Sequence, residues 1–271
     1  WKGGVMFTEA DTIQKWLVNR LVELGWEYVP GDKLARERTD VLVEDTLIEA
    51  LEVLNDRLHG FPERVDEVLP EIRARVLAGA TDGLVPANEA MTTLLRGDHT
   101  VKYVGTDDYV PLRLIDFDNL DENDFVVSDE VTFGPPGKER RYDVVLWVNG
   151  IPLVVIETKT AVNSSVSWLN GARDIANVYA VEGPTFFTPN VLVAATDGKE
   201  FHYGAAGQPG EHWLMWGSTQ DPYYLDGTPR VKRSVELLLT PARVLSVLRD
   251  FTLFEATPDG GKRKLIPRYP Q

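Results

Sequence analysis

The stretch Arg140-Arg141-Tyr142-Asp143-Val144-Val145-Leu146-Trp147-Val148-Asn149-Gly150-Ile151-Pro152-Leu153-Val154-Val155-Ile156-Glu157-Thr158-Lys159 decides the reading of this chain. Two apolar runs flank Asn149-Gly150, a pair suited to the left-handed backbone of a tight hairpin turn. The runs are almost continuous in Val, Leu and Ile, as in strands buried on both faces. The charged residues stand at their far ends. Side chains alternate along a strand, so Glu157 and Lys159 share a face. Register decides whether Asp143 joins them. If Asn149-Gly150 alone forms the loop, Val148 pairs with Ile151, Asp143 lies opposite Ile156, and Glu157 faces away. A three-residue loop, or a bulge with the same effect, sets Asp143 opposite Glu157, with Cβ atoms about 5 Å apart. Two carboxylates that close repel each other unless a cation lies between them. The pattern therefore predicts the second register and a divalent-cation site.

The chemistry that suits such a site is phosphodiester hydrolysis. It requires shielding of the phosphate, activation of water and stabilisation of the leaving alkoxide, all of which carboxylate-held Mg²⁺ can supply. Asp143 and Glu157 are the expected metal ligands, with the backbone carbonyl of Thr158 as a third. Lys159 is the compact charge that orients or helps deprotonate the attacking water. Asp143, Glu157 and Lys159 are thus the candidate catalytic residues. The competing explanation is a solvated strand start and a surface Glu-x-Lys ion-pair ladder. Against it, Leu153-Val154-Val155-Ile156 runs unbroken into Glu157, so the carboxylate emerges directly from a buried strand.

Around this hairpin the chain reads as helices, then strands, then helix and strands again. Helices are expected over Thr8–Leu24, opened by Thr8 and Asp11 and stopped by Gly25, and over Asp45–Leu58. Phe61–Leu95 reads as two or three short helices broken at Pro70, Gly79, Gly83 and Pro86. Strands are expected over Val101–Val104, Tyr109–Ile115, Phe125–Phe133, Val191–Ala195, Glu200–Tyr203 and Trp213–Trp216. Helices are expected over Leu169–Val181 and from Thr240-Pro241 to about Phe251. The tail beyond Thr252 reads as a linker.

The 271 residues suffice for one large domain or two small ones, and an apolar fraction of 43% allows a sizeable core. The formal charge of −14 argues against a protein that simply coats nucleic acid, yet permits a DNA enzyme whose cleft is locally basic. The absence of cysteine excludes disulfides, thiol nucleophiles and cysteine-ligated zinc, and fits a cytoplasmic protein. No apolar run approaches the ~18 residues of a membrane helix, and no membrane partner is expected. Trp1 is not an ordinary start, so a preceding piece is expected. His59, His99, His202 and His212 lack metal-ligand spacing.

At the same residues the chain resembles a known family, the N-terminal endonuclease domain of the R (restriction and motor) subunit of type I restriction enzymes, within the PD-(D/E)xK nucleases. The resemblance lies in Asn123-Asp124-Phe125-Val126-Val127, in Arg141-Tyr142-Asp143, and in Asn149-Gly150-Ile151-Pro152 leading to Glu157-Thr158-Lys159. It continues through Pro184-Thr185-Phe186-Phe187-Thr188-Pro189-Asn190, Thr196-Asp197-Gly198 and the tryptophans near Trp216. It implies a restriction-endonuclease-like α/β fold, a mixed sheet flanked by helices, and Mg²⁺-dependent cutting of double-stranded DNA. It also implies a following ATP-driven motor, with methyltransferase (M) and specificity (S) subunits as partners. The implied organisation is an endonuclease domain over 1–235, helical over 1–98 with a sheet core over 99–216, then a helix and linker over 236–271 leading to the motor. This chain has no Gly-Lys-Ser/Thr phosphate loop, so ATP would serve only the motor.

Two positions depart from the family pattern. The helix after the lysine usually carries Gln-x-x-x-Tyr. Tyr179 fits the tyrosine, but Ile175 stands at the glutamine's place, with Asp174 or Asn177 as substitutes if the helix is shifted. An acidic residue expected near Gln14 is an amide here, leaving Glu9 nearby. Arg140 and Arg141, with Lys138, are candidates to hold the DNA backbone, as is Tyr179. The plainer alternatives are a solvated strand end and a half-buried helix tyrosine. Two other readings stay open: a catalytically silent docking or coupling module on the same fold, and the nuclease domain of another helicase-linked defence system.

Overall fold

The hairpin forms the middle of a seven-stranded mixed sheet. The computed structural model describes residues 13–160, 166–216 and 227–268. In chain order the elements are α1 (Ile13–Glu23), β1 (Glu27–Tyr28), α2 (Glu44–Leu54), α3 (Pro62–Thr81), α4 (Leu84–Leu95), β2 (Thr100–Val101), β3 (Val110–Pro111), β4 (Phe125–Phe133), β5 (Arg140–Val148) and β6 (Ile151–Thr158). There follow α5 (Trp168–Arg173), a π-helical turn (Asp174–Tyr179), α6 (Ala180–Glu182), α7 (Pro184–Phe187), β7 (Leu192–Thr196), β8 (Phe201–Gly204), β9 (Leu214–Met215), α8 (Thr228–Leu238) and α9 (Pro241–Ser246). A second π turn (Val247–Phe251) and the strands β10 (Leu253–Ala256) and β11 (Lys262–Leu265) close the described chain. The sheet runs β1-β4-β5-β6-β7-β8-β9. Strands β4, β5 and β6 are antiparallel neighbours, whereas β6 and β7 are parallel and joined through α5 to α7. This is the mixed sheet flanked by helices that the family resemblance implies.

The turn is built as the sequence suggests. Asn149 and Gly150 both have positive φ, 51° and 74°, as a two-residue turn with native strand twist requires. Asn149 is also buried glue. Its side-chain amide donates to the Leu114 carbonyl at 2.8 Å, and its Oδ1 accepts the Asp124 N–H at 2.7 Å. Val148 pairs with Ile151 and Trp147 with Pro152, but Leu146 pairs with Val154. One extra residue, Leu153, is thus inserted on β6. Proline has no N–H to give to a ladder, and in a central strand it is tolerated at a bulge. Pro152 supplies that reason. The bulge, not a longer loop, restores the register that the site needs.

Several expectations from sequence are corrected. Helix α3 runs straight through Pro70 and Gly79, and the break comes at Gly83, with φ of 89°. Gly79 marks a close crossing, since a Cβ there would stand 2.2 Å from Thr188 Oγ1. The strands expected over Val101–Val104 and Tyr109–Ile115 shrink to β2 and β3, which pair apart from the main sheet. The main sheet also takes an edge strand from outside 99–216, because β1 pairs in parallel with β4. The N-terminal capping residues Thr8 and Asp11, together with Glu9, lie outside the described residues.

The tail is not a free linker as far as it is described. Strands β10 and β11 form a hairpin that docks on the domain. Lys264 is buried and donates to the Asn190 carbonyl at 2.5 Å, and Tyr203 donates its hydroxyl to the Pro267 carbonyl at 2.7 Å. Burial pushes the Lys264 ammonium down to about 7, and Arg96 adds to the shift. No helix among the described residues is long and apolar enough to cross a membrane.

Candidate active site

The bulge sets the geometry. From Leu146 onward the pairing runs Val145 with Val155 and Val144 with Ile156, which carries Asp143 opposite Glu157 at the same end of the sheet. The two strands are otherwise buried, so the first polar side chains to emerge are these carboxylates. Asp143 is locked to the neighbouring strand end. Its Oδ2 accepts the Thr158 backbone N–H at 2.8 Å and the Thr158 hydroxyl at 2.7 Å. The lysine follows one residue later, held in extension by its own N–H on the Thr196 carbonyl at 2.9 Å.

Glu157 is 3% exposed. Its Oε1 accepts from Lys159 Nζ at 2.9 Å and from the Tyr179 hydroxyl at 3.3 Å. Its Oε2 is buried with no hydrogen-bond partner among the described residues. Burial pushes the Glu157 carboxyl up to about 7, and repulsion from Asp143 adds to it, while Lys159 opposes. Lys159 also reaches Asp174 Oδ2 at 2.6 Å. Burial alone would lower the lysine, but its bonds to Asp174 and Glu157 outweigh that and raise it above its ordinary range. Glu157 and Asp174 thus share one ammonium, and Asp143, bonded to Thr158, stands beside them as a third carboxylate. With all ionised, the centre carries a surplus of negative charge matched to a divalent cation.

The donor chemistry fits Mg²⁺. Two carboxylates and a nearby backbone carbonyl are hard oxygen ligands, and a buried carboxylate oxygen without a partner is costly unless something binds it. Among the described residues no group of three His, Cys, Asp or Glu side chains gathers as a metal cage. The candidate set is the smaller one of Asp143, Glu157 and the Thr158 carbonyl.

The remaining candidates separate. Tyr179 joins the site through Glu157 and packs edge-on against Tyr142, with ring centroids 5.3 Å apart. Burial and the nearby Glu157 raise its hydroxyl well above the ordinary tyrosine range. Arg140 is ion-paired with Glu182, and Arg141 with Glu130 at 3.1 Å. Both stand on β5 just before Asp143. Lys138 and Arg140, with Phe133 and Tyr142, border a cavity of about 580 Å³ beside α6 and α7. Of the tryptophans, Trp147 packs in the core against Phe186, while Trp168 stacks on His202 at 3.4 Å. Asp174 is the residue that pattern reading placed only conditionally. The signal for it is the π turn, which the local sequence over Asp174–Tyr179 does not announce.

The sequence profile of the family described as "Type I restriction enzyme R protein N terminus" matches residues 6–212. The chain is similar to the "Type I restriction enzyme HindI endonuclease subunit" of Haemophilus influenzae, 29% identical over 98% of this chain and 26% of that protein. It is also similar to the "Putative type I restriction enzyme MjaIXP endonuclease subunit" of Methanocaldococcus jannaschii, 20% identical over 100% of this chain and 27% of that protein. The chain therefore spans about a quarter of the length of these curated relatives. With the profile covering most of its length, this chain belongs to the type I restriction enzyme R protein N-terminal family.

Proposed function

We propose that this chain is the Mg²⁺-dependent endonuclease module of a type I restriction R subunit, hydrolysing phosphodiester bonds of double-stranded DNA. The observation that carries the reading is the register after the Leu153 bulge, Val144 with Ile156, which sets Asp143 opposite Glu157, together with a buried Glu157 oxygen that has no hydrogen-bond partner among the described residues. In this reading Asp143, Glu157 and the Thr158 carbonyl hold the cation. A bound Mg²⁺ supplies charge stabilisation to the phosphodiester and acidity to water. Lys159 contributes a fixed positive charge beside the phosphate and orients the attacking water. Its raised proton affinity favours this electrostatic role over that of a free base. Thr158 keeps Asp143 from turning away, and Arg140 and Arg141 hold the DNA backbone next to the scissile bond.

The overall acidity of the chain implies that DNA is delivered by other parts of the assembly. We place an ATP-driven translocating motor after this region, M and S subunits as partners that choose the site, and the cytoplasm as the compartment. The test is Asp143→Ala and Lys159→Ala in the full-length subunit within its complex. Each is expected to abolish DNA cleavage while ATP hydrolysis persists. Cleavage by either variant at the normal rate would remove that residue from the mechanism. Calorimetric titration with Mn²⁺ separates this reading from a silent docking module, which would show no binding that Asp143→Ala removes.

A further inference from the structure

Two side chains from one helix converge on the Glu157–Lys159 pair, although they are five residues apart. Asp174 reaches Lys159 Nζ at 2.6 Å, and Tyr179 reaches Glu157 Oε1 at 3.3 Å. In an α-helix, residues three or four apart share a face, and residues five apart do not. Here residues 174–179 form a π turn, in which the Ala180 N–H bonds to the Ile175 carbonyl five residues back. Single π turns insert one residue into an α-helix and are frequent at functional sites. The inserted residue changes which side chain faces the site. Ile175, four before Tyr179, is fully buried in the core, and Asp174 takes the position facing Lys159.

We infer that Asp174 is a positioning residue for Lys159, turned toward it by the π turn. The inference rests on the reading of Lys159 as part of a hydrolytic site. The lysine side chain is long and has many rotamers. Glu157 holds its ammonium, but Glu157 is also the carboxylate proposed to engage a cation. Asp174 is a second anchor, independent of Glu157, so the ammonium keeps its place when Glu157 is engaged elsewhere. The anchor lies on the solvent side: the side chain of Asp174 is 42% exposed, against 20% for Lys159 and 5% for Glu157. An ion pair in such a place adds little to folding stability. Its worth is geometric, as for groups that orient a site from its periphery.

The experiment uses the full-length subunit in its complex. Asp174→Ala is expected to slow single-turnover DNA cleavage by roughly 10- to 100-fold. The thermal midpoint should stay within a few degrees, and Mn²⁺ affinity should change far less than the rate. Asp174→Asn keeps an oxygen acceptor near the same place and should recover part of the rate. In the metal-free protein, labelling of Lys159 by an amine-reactive reagent, read by mass spectrometry, should rise several-fold in Asp174→Ala. A cleavage rate within about twofold of the parent, while Asp143→Ala is inactive, overturns the role of Asp174 alone. Cleavage by Asp143→Ala overturns the nuclease reading itself. A loss of Mn²⁺ affinity as large as the loss of rate would make Asp174 a ligand and also overturn the positioning role.

Discussion

Gly171 lies so close to Glu157 that a Cβ on it would stand 3.1 Å from the glutamate Cγ and 3.3 Å from its Cβ. The same atom would meet the Ala195 Cβ at 3.3 Å. Helix α5 is thus pressed onto the strand ends, which brings Asp174 and Tyr179 within reach of the pair and shuts water from the glutamate stem. Gly171→Ala is expected to cost about 1 kcal/mol of stability, because the core there cannot absorb a methyl group without shifting the helix. It should slow DNA cleavage more than that cost alone implies. Denaturant unfolding with a parallel cleavage assay checks this, and unchanged cleavage would show that the helix contact does not govern the site.

The Glu157 carboxyl makes stability depend on pH. Its folded value of about 7 lies above the ordinary 4.5. Between those values the folded chain keeps a proton that the unfolded chain releases. Stability conferred by this group therefore falls as pH rises through that window, and the full cost, at most about 3 kcal/mol, stands above neutrality. Glu157→Gln should flatten this slope and stabilise the metal-free protein under mildly alkaline conditions. Mg²⁺ should stabilise the parent increasingly as pH rises and leave Glu157→Gln unaffected. Urea unfolding across the window, with and without Mg²⁺, gives the result. Equal slopes in both proteins would contradict the buried-charge account.

The turn tolerates no side chain at Gly150. Its φ is 74°, and a Cβ would stand 2.3 Å from the Val43 carbonyl oxygen, a backbone atom that cannot swing away. Val43 also donates its N–H to the Gly150 carbonyl at 2.9 Å, which ties the loop before α2 to the hairpin. Gly150→Ala should destabilise the domain by roughly 2 kcal/mol or more through left-handed strain and the clash together. A shift in the denaturation midpoint of less than half that size would show that the loop yields.

Arg140 and Arg141 are tied to Glu182 and Glu130 in the DNA-free chain. If they hold phosphates, Arg141→Ala should weaken binding of duplexes of any sequence and reduce the salt slope by about one unit. Fluorescence anisotropy with the assembled complex, using Ca²⁺ in place of Mg²⁺ to prevent cutting, measures both. An unchanged slope would leave the arginines as surface ion pairs only.

The core of the site was legible because its determinants are local. Alternation puts Glu157 and Lys159 on one face, the Asn-Gly pair makes the turn, and unbroken Val, Leu and Ile runs mark strands covered on both sides. The bulge was expected only as an alternative to a three-residue loop, and the structure shows it beside Pro152, a residue that a central strand accommodates at a bulge. What the residues could not disclose was set by packing between distant segments. Whether the helix after Lys159 carries an extra residue depends on Ile175 finding a buried place in the core, and that choice aims Asp174 at the lysine. The tail from Leu253 looks like a polar linker, yet Lys264 finds the Asn190 carbonyl and folds it onto the domain. Chain connectivity dictates pattern over a few residues, whereas burial against partners far along the chain decides helix phase and docking, so those were left to the tertiary structure.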